Sequence, residues 1–254
     1  MGGVTSQADY KCFGGFMGFE EVIKDNFDRV VKEVEYVKKT YKALKDFGFN
    51  DDNSIAAVCV CRDEISQTVR SIIKHIWGEA FNFSSLAAMF TAGKTGLKAA
   101  MHHAPRTGGK ERYVFYVIPH TAINEDGKTG FCKRRGIKEE SSACGALCLF
   151  LDELYTGKLH IKIDEEDIEE SLLKRRLIKE ITYGDIPSLL ELTKIARKVI
   201  QEDLEHAIGK VIDTSKSDYA VLTGIQIHAP DANYIWPAES YVVIDGTKQS
   251  LNIE

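Results

Sequence analysis

The chain has 254 residues, with 33 Lys or Arg against 38 Asp or Glu, and hence a net charge of −5. Its length suits one large or two small domains, and an apolar content of 44% excludes a disordered chain. The mild acidity argues against nucleic acid as the main partner, and no apolar run approaches the ~18 residues that a membrane span needs. Six cysteines remain, and without a visible secretory signal we expect buried, catalytic or metal-bound thiols: Cys12, Cys59, Cys61, Cys132, Cys144 and Cys148.

The first half of the chain has the pattern of helices separated by a buried strand. Apolar residues spaced by three and four predict an amphipathic helix or helix pair over residues 19–46. The continuous apolar run from Ile55 to Cys61 predicts a buried strand of the kind that parallel sheets contain. A helical pattern starts near Ser66, so strand, charged turn and helix form half of a βαβ unit. A further helix, interrupted by glycines, is predicted over residues 85–101.

The second half of the chain carries the strongest strand signal. An unbroken run of β-branched and aromatic residues, Tyr113 to Ile118, predicts a strand that ends at Pro119-His120. Asp126-Gly127 predicts a turn, and Cys144 opens a helix that runs through Leu154. We interpret residues 1–254 as one mixed α/β domain, with parallel core strands flanked by helices and a helical region near the N-terminus. The remaining predicted elements are helices at 164–180 and 186–208 and strands at 219–228 and 241–245.

Three potential metal ligands lie at the ends of predicted elements. Cys61 ends the first buried strand, His120 follows the strongest strand, and Cys144 begins a helix, where the helix dipole favours a thiolate. Ligands of open α/β sheets bind beyond the carboxyl ends of the strands, so these side chains are expected to converge. Two cysteines, one histidine and a water form a known catalytic zinc shell. The spacing alone leaves a second interpretation open, in which both cysteines are small buried hydrophobic residues and His120 is structural.

Short motifs around these residues are similar to those of the β-class carbonic anhydrases. Cys61-Arg62-Asp63 resembles the start of that class's Cys-x-Asp-x-Arg motif, and Pro119-His120-Thr121 resembles its strand end, Gly-His-Thr. Cys144-Gly145-Ala146 resembles its Cys-Gly-Ala motif. In the β class the histidine and the second cysteine are nearly adjacent, whereas here they are 144 − 120 = 24 residues apart.

The inserted segment resembles the limiting-CO2-inducible protein B family, a divergent branch of the β-type (also called θ-class) carbonic anhydrases. The likeness covers most of residues 55–230. The resemblance implies a β-carbonic-anhydrase-like fold, a homodimer and a zinc ion held by Cys61, His120 and Cys144. Further motifs that carry the likeness are Phe81-Asn82-Phe83-Ser84, Gly93-Lys94-Thr95-Gly96, His102-His103-Ala104-Pro105 and Thr223-Gly224-Ile225-Gln226-Ile227-His228.

The activity that this resemblance implies is the interconversion of CO2 and bicarbonate through a zinc-bound hydroxide. Asp63 is the expected acceptor that orients the hydroxide, with a neighbouring arginine as its partner. Ile65 stands where the β-class motif has that arginine, so Arg62 is taken as the candidate catalytic partner of Asp63. Without its cation, Asp63 would swing to the zinc and close the site. The other candidate partners are Arg70, Arg134 and Arg135.

Other interpretations stay open at this stage. A catalytically weak zinc protein that senses bicarbonate, or acts as a scaffold in a carbon-concentrating system, would carry the same metal site. A cysteine-nucleophile hydrolase would use Cys144 with His120 as its base and would hold no stoichiometric metal. His102 and His103 compete with His120 as the nitrogen ligand. The expected compartment is the cytoplasm, or the plastid if a targeting peptide has been removed.

Overall fold

The computed structural model describes residues 18–106 and 109–253, and Cys12 lies outside them. The helices within these ranges are α1 Phe19–Asn26, α2 Glu33–Lys45, α3 Gln67–Trp77, α4 Gly93–Met101, α5 Gly145–Tyr155, α6 Ile168–Leu177 and α7 Leu189–Val211. The strands are β1 Val31–Lys32, β2 Ser54–Val60, β3 Ala80–Asn82, β4 Glu111–Ile118, β5 His120–Ala122, β6 Phe131–Cys132, β7 Ser141–Ser142, β8 Ser217–His228, β9 Asn233–Pro237, β10 Tyr241–Ile244 and β11 Thr247–Ser250.

A mostly parallel sheet runs through the middle of the molecule, in the order β1-β9-β8-β4-β2-β3. Strands β3, β2, β4 and β8 are mutually parallel, and β10 is antiparallel to the first half of β8. The register places Val60 of β2 opposite Ile118 of β4. The carboxyl ends of β2 and β4 therefore lie side by side. The predicted α/β fold, with parallel core strands flanked by helices, is confirmed.

Both faces of this sheet are covered by helices, which explains why its central strands are continuously apolar. Every residue of β2 is buried. Alternate residues of a strand point to opposite faces, so Val58 and Tyr116 pack with α2 and α3 on one face. Ala57 and Phe115 belong to the cluster on the other face, together with residues of α4, α5 and α7. A two-sided apolar strand of this kind is stable only between two helical layers.

Several predicted elements differ in extent from those observed. The region 19–46 is a pair of helices, α1 and α2. Only residues 93–101 of the helix predicted over 85–101 form an α-helix, because Ala87 and Ala88 have positive φ angles of 50° and 66°. Helix α7 starts at Leu189 rather than 186, since Ser188 and Glu191 form a capping box there. The sequence pattern does not predict the short strands β1, β3, β5, β6, β7, β9 and β11.

Strand β8 changes partners at Gly224. Its first part, through Thr223, pairs with β4 and β10, whereas its second part pairs with β9 and β5. A Cβ atom on Gly224 would lie 2.7 Å from the carbonyl oxygen of Trp236 and 2.8 Å from a methyl carbon of Ile235. The close approach of β8 and β9 at this point therefore requires a residue without a side chain.

We expect Gly224→Ala to lower the free energy of unfolding by about 1–3 kcal/mol, because the added methyl group overpacks against the backbone of β9. Urea denaturation followed by circular dichroism measures this change. Gly209→Ala is the control, since Gly209 is an exposed residue of α7 with no neighbouring atom near its Cβ position. That variant should be unchanged or more stable by up to about 1 kcal/mol. Equal denaturation midpoints for the two variants would contradict the close approach.

Candidate metal centre

Three predicted ligands come together at the carboxyl edge of the sheet. Cys61 directly follows β2, His120 opens β5 just beyond β4, and Cys144 is the N-cap residue of α5. The Sγ atoms of Cys61 and Cys144 are 3.8 Å apart. One ligand atom from each of the three residues lies within 4.8 Å of the others. All three side chains are buried, with 4% or less of each residue exposed.

This arrangement fits a metal ion with soft and borderline ligands. Tetrahedral zinc with Zn–S bonds of about 2.3 Å separates two thiolates by roughly 3.8 Å, which is the distance observed here. The Nε2 atom of His120 is buried and makes no hydrogen bond within the described part of the chain. An unpartnered buried nitrogen is costly unless a ligand completes it. The donor set and its spacing therefore suit a zinc ion with one open position.

The two thiols titrate as a pair. A hydrogen bond from the Cys144 thiol and, to a smaller extent, His120 lower the pKa of Cys61 to about 4, against the effect of burial. The same contact and burial raise the pKa of Cys144 well above its usual value. The backbone amides of Ala146 and Leu147, at the start of α5, oppose that rise. The helix start thus lowers the pKa of Cys144, but the neighbouring sulfur and burial outweigh it, so the thiolate expected at Cys144 forms at Cys61 instead. The pair shares one proton that a bound cation would displace.

A bidentate ion pair holds Asp63 beside the three ligands. The Nη1 and Nη2 atoms of Arg134 donate to Oδ1 and Oδ2 of Asp63, both at 2.7 Å. Burial raises the pKa of Asp63, but the hydrogen bonds from Arg134 and the charges of His120 and Arg134 outweigh it and lower the pKa to about 2. Asp63 is therefore an ionised carboxylate. Its Oδ2 atom lies 3.8 Å from Nε2 of His120, and Asp63 is not one of the three grouped ligands.

Arg134 is itself fixed from several sides. Its Nε atom donates to Ser141 Oγ at 2.6 Å, and its Nη2 atom donates to the carbonyl oxygen of Ser142 at 3.0 Å. Nη1 also donates to the carboxylate of Glu64. All these contacts belong to the segment between His120 and Cys144 or to the turn after β2. A guanidinium with this many partners has one orientation, and it presents two N–H groups to Asp63.

Arg62 does not take this place, contrary to the pairing predicted from its position in the sequence. Its Nη2 atom donates to Oε1 of Glu169 at 2.7 Å, and its side chain is largely exposed. Glu169 also accepts a hydrogen bond from the backbone N–H of Leu86, so Arg62 is tied to α6 and the turn after β3. The partner of Asp63 is Arg134, one of the four arginines considered. Of the other two arginines, Arg70 donates to Oε1 of Gln67, and Arg135 is exposed.

A second histidine supports His120. The Nδ1 atom of His120 lies 3.1 Å from Nε2 of His228, the last residue of β8. Burial and the neighbouring charge of His120 lower the pKa of His228 to about 3, so His228 is neutral at physiological pH. His102 and His103, the competing ligands, are exposed at the end of α4 and lie outside the ligand group. Of these histidines, only His120 is placed to bind the metal.

Known proteins show the same overall architecture. The family model of the limiting CO2-inducible proteins B/C beta carbonic anhydrases matches residues 30–244. The chain belongs to this family. The solved structure of limiting CO2-inducible protein LCIB is 33% identical, with a TM-score of 0.77 over 91% of this chain and 97% of that one. The structure of PtLCIB4, a homolog of LCIB, is 19% identical, with a TM-score of 0.77 over 91% and 98%, and shows the shared fold. No curated protein matches significantly.

The remaining described cysteines of this family member lie outside the ligand group. Cys59 is buried in the core between β2 and the helices, and burial raises its pKa to about 12. Cys148 lies one turn after Cys144 in α5, and burial raises its pKa to about 11. Cys132 is partly buried in β6. Within the described ranges, no helix combines the length and the apolarity needed to span a bilayer.

We expect Cys144→Ala to abolish stoichiometric zinc binding, because only two protein donors would remain at the site. Plasma mass spectrometry of the gel-filtered, zinc-loaded protein measures the metal per chain. Cys148→Ala is the matched control, since it removes a thiol one helical turn away and should retain zinc at the wild-type level. Full zinc in Cys144→Ala would show that the metal binds elsewhere.

Proposed function

We propose that this protein is a zinc-dependent carbonic anhydrase that interconverts CO2 and bicarbonate. One observation carries the proposal: a buried Cys-His-Cys group lies beside an aspartate whose two carboxylate oxygens are both bound by an arginine. Two thiolates and a neutral imidazole balance the charge of a divalent cation, and three protein donors leave a coordination position for water. Soft sulfur ligands with imidazole favour zinc over magnesium or calcium.

The roles of the side chains follow from this geometry. Zinc, when bound, would acidify a water molecule so that it attacks CO2 at neutral pH. Asp63, ionised and with its Oδ2 atom 3.8 Å from Nε2 of His120, is placed to accept a hydrogen bond from that water and to orient it. Arg134 keeps Asp63 in this position, because a carboxylate bound at both oxygens cannot turn towards the metal without losing two charge-assisted hydrogen bonds. The catalytic role expected of Arg62 thus passes to Arg134.

The low polarity around the site suits CO2 as the substrate. CO2 is small and uncharged, so its binding needs no cluster of basic residues. The charge of Asp63 is balanced by Arg134, Cys61 and Cys144 belong to the apolar cluster that contains residues of α5 and α7, and His120 is fully buried. A site of low polarity strengthens the electrostatic effect of the few charges that remain in it.

We expect Asp63→Asn and Arg134→Ala each to lower kcat/KM for CO2 hydration by about 10- to 100-fold while zinc stays bound, because both disturb the orientation of the attacking water. Stopped-flow hydration with a pH indicator measures the rate. The double variant should be scarcely slower than either single one, since the two residues act as a unit. Lys133→Ala is the control, because Lys133 is an exposed neighbour of Arg134 and pairs with Glu125. Additive losses would contradict a joint role.

The proposed function itself is tested by zinc content and by hydration in the wild-type protein. Stoichiometric zinc with rapid CO2 hydration is the expected result. Stoichiometric zinc without hydration would favour the alternative, a zinc protein that senses bicarbonate or acts as a scaffold. A protein that binds no zinc and loses a hydrolytic activity on thiol alkylation would support a cysteine nucleophile at Cys144 instead.

Assembly and location are part of the same proposal. The family resemblance implies a homodimer, which light scattering of the purified protein measures directly. A carbon-concentrating role would place the protein in the cytoplasm or in a plastid, and microscopy of the tagged protein distinguishes the two.

A further inference from the structure

A line of hydrogen bonds connects His120 to the start of helix α2. The Nδ1 atom of His120 meets Nε2 of His228 at 3.1 Å, and Nδ1 of His228 meets Oδ1 of Asn233 at 2.9 Å. The amide nitrogen of Asn233 in turn donates to Oε1 of Glu33 at 3.4 Å and to Oγ1 of Thr68 at 3.3 Å. The line therefore runs from a carboxylate in the N-terminal helical region to the ring of the predicted metal ligand.

The carboxylate gives this line a direction. A carboxylate can only accept hydrogen bonds, and Glu33 also accepts from Nε2 of Gln226 at 2.9 Å. Asn233 must therefore turn its NH2 group towards Glu33, because the opposite orientation would place its carbonyl oxygen against the carboxylate. Its Oδ1 atom is then left as an acceptor, and it faces His228.

The same order of donors and acceptors continues through the imidazole rings of His228 and His120. A neutral imidazole has one N–H donor and one unprotonated nitrogen. Since Nδ1 of His228 donates to Asn233, Nε2 of His228 is the acceptor, and Nδ1 of His120 must carry the proton that it receives. In a neutral His120 ring, Nε2 then carries no proton. This is the ring nitrogen that is buried without a hydrogen-bond partner among the described residues, in the histidine that groups with Cys61 and Cys144.

We propose that Glu33, Asn233 and His228 are positioning residues that fix the tautomer of His120 and so keep its Nε2 atom free for zinc. This relay (Glu33, Asn233 and His228) rests on the proposed function for its purpose, but its polarity follows from the hydrogen bonds alone. Ring nitrogens that bind a metal are oriented by the partner of the other nitrogen, and loss of such a partner typically lowers metal affinity about 10- to 100-fold.

The relay predicts a specific protonation state in the zinc-free protein. Nitrogen-15 NMR of protein labelled in histidine distinguishes protonated from unprotonated ring nitrogens. In the wild type, His120 should carry its proton on Nδ1. Glu33→Gln should give a mixture of the two tautomers, because a glutamine no longer dictates the orientation of Asn233. A zinc-free wild type with the proton on Nε2 of His120 would overturn the proposal.

Zinc affinity gives a second readout, measured by competition with a chelator. We expect Glu33→Gln and His228→Leu to weaken binding by about 10- to 100-fold. His228→Gln should recover part of the loss, since its amide oxygen can accept the His120 proton. Glu35→Gln is the control, because Glu35 lies in the same helical turn as Glu33 but pairs with Lys38 at the surface. Wild-type affinity in both Glu33→Gln and His228→Leu would overturn the relay.

These outcomes are separable from the fate of the proposed function. The tautomer is measured without zinc and without CO2, so a wild type that binds zinc but does not hydrate CO2 leaves the relay supported. A wild type that binds no zinc refutes the proposed function, while the NMR signals of His120 still report on the relay. Thermal unfolding of each variant identifies any loss of fold, and Glu33→Gln, at a partly buried helix start, avoids a core substitution.

Discussion

The parallel pairing of β2 with β4 is the constraint on which the metal centre depends. It sets Val60 beside Ile118, so the residues that follow, Cys61 and His120, leave the sheet at the same edge. Helices on both faces bury these strands and remove the freedom of their ends to move apart. Only the third ligand, Cys144, comes from outside the sheet. It lies at the same edge because it is the N-cap residue of α5. The positions of Cys61 and His120 are therefore set by the sheet, and the position of Cys144 is set by the start of α5.

The second constraint is the negative charge of Asp63, which needs a cationic partner. The long segment between His120 and Cys144 supplies that partner. A carboxylate next to a dication is attracted to it, and an open coordination position requires a competing partner for Asp63. Arg134 is that partner, and its remaining N–H groups are bound by Ser141, Ser142 and Glu64. An ion pair that is only partly exposed gains from such additional hydrogen bonds, because they offset the loss of water around the guanidinium. The segment that separates His120 from Cys144 thus supplies the arginine partner of Asp63. In the Cys-x-Asp-x-Arg motif of the β class, that arginine lies two residues after the aspartate.

The sequence predicted the features that depend on residues close together along the chain. Apolar runs identified β2 and β4, and the ends of elements pointed to Cys61, His120 and Cys144. Arg134 was only one of four candidates, since charge and proximity in sequence do not distinguish arginines whose pairing depends on the path of a loop. Glu33 was missed because it lies 233 − 33 = 200 residues before Asn233 and looks like an ordinary acidic helix start. His228 was noted only within a motif, although a histidine at the end of a buried strand is a usable signal. Strand β9 has a single fully buried residue and ends in proline, and β11 is exposed throughout, so neither has the apolar pattern of a core strand.

Arg134 and Cys144 lie on one segment of the chain. This links the retention of a metal, which depends on Cys144, to the open coordination position, which depends on Arg134. Cys61 and His120 are anchored by the central sheet, whereas residues 124–144 are held by turns, by the two-residue pair of β6 and β7 and by the ion pairs of Arg134. Stability is uneven within a protein, and segments with few buried contacts open before the core does. A local opening of this segment would withdraw the third ligand and release Asp63 in the same event. Metal exchange and loss of the open coordination position would then have a common free-energy barrier, set by a surface segment and not by the global stability of the fold.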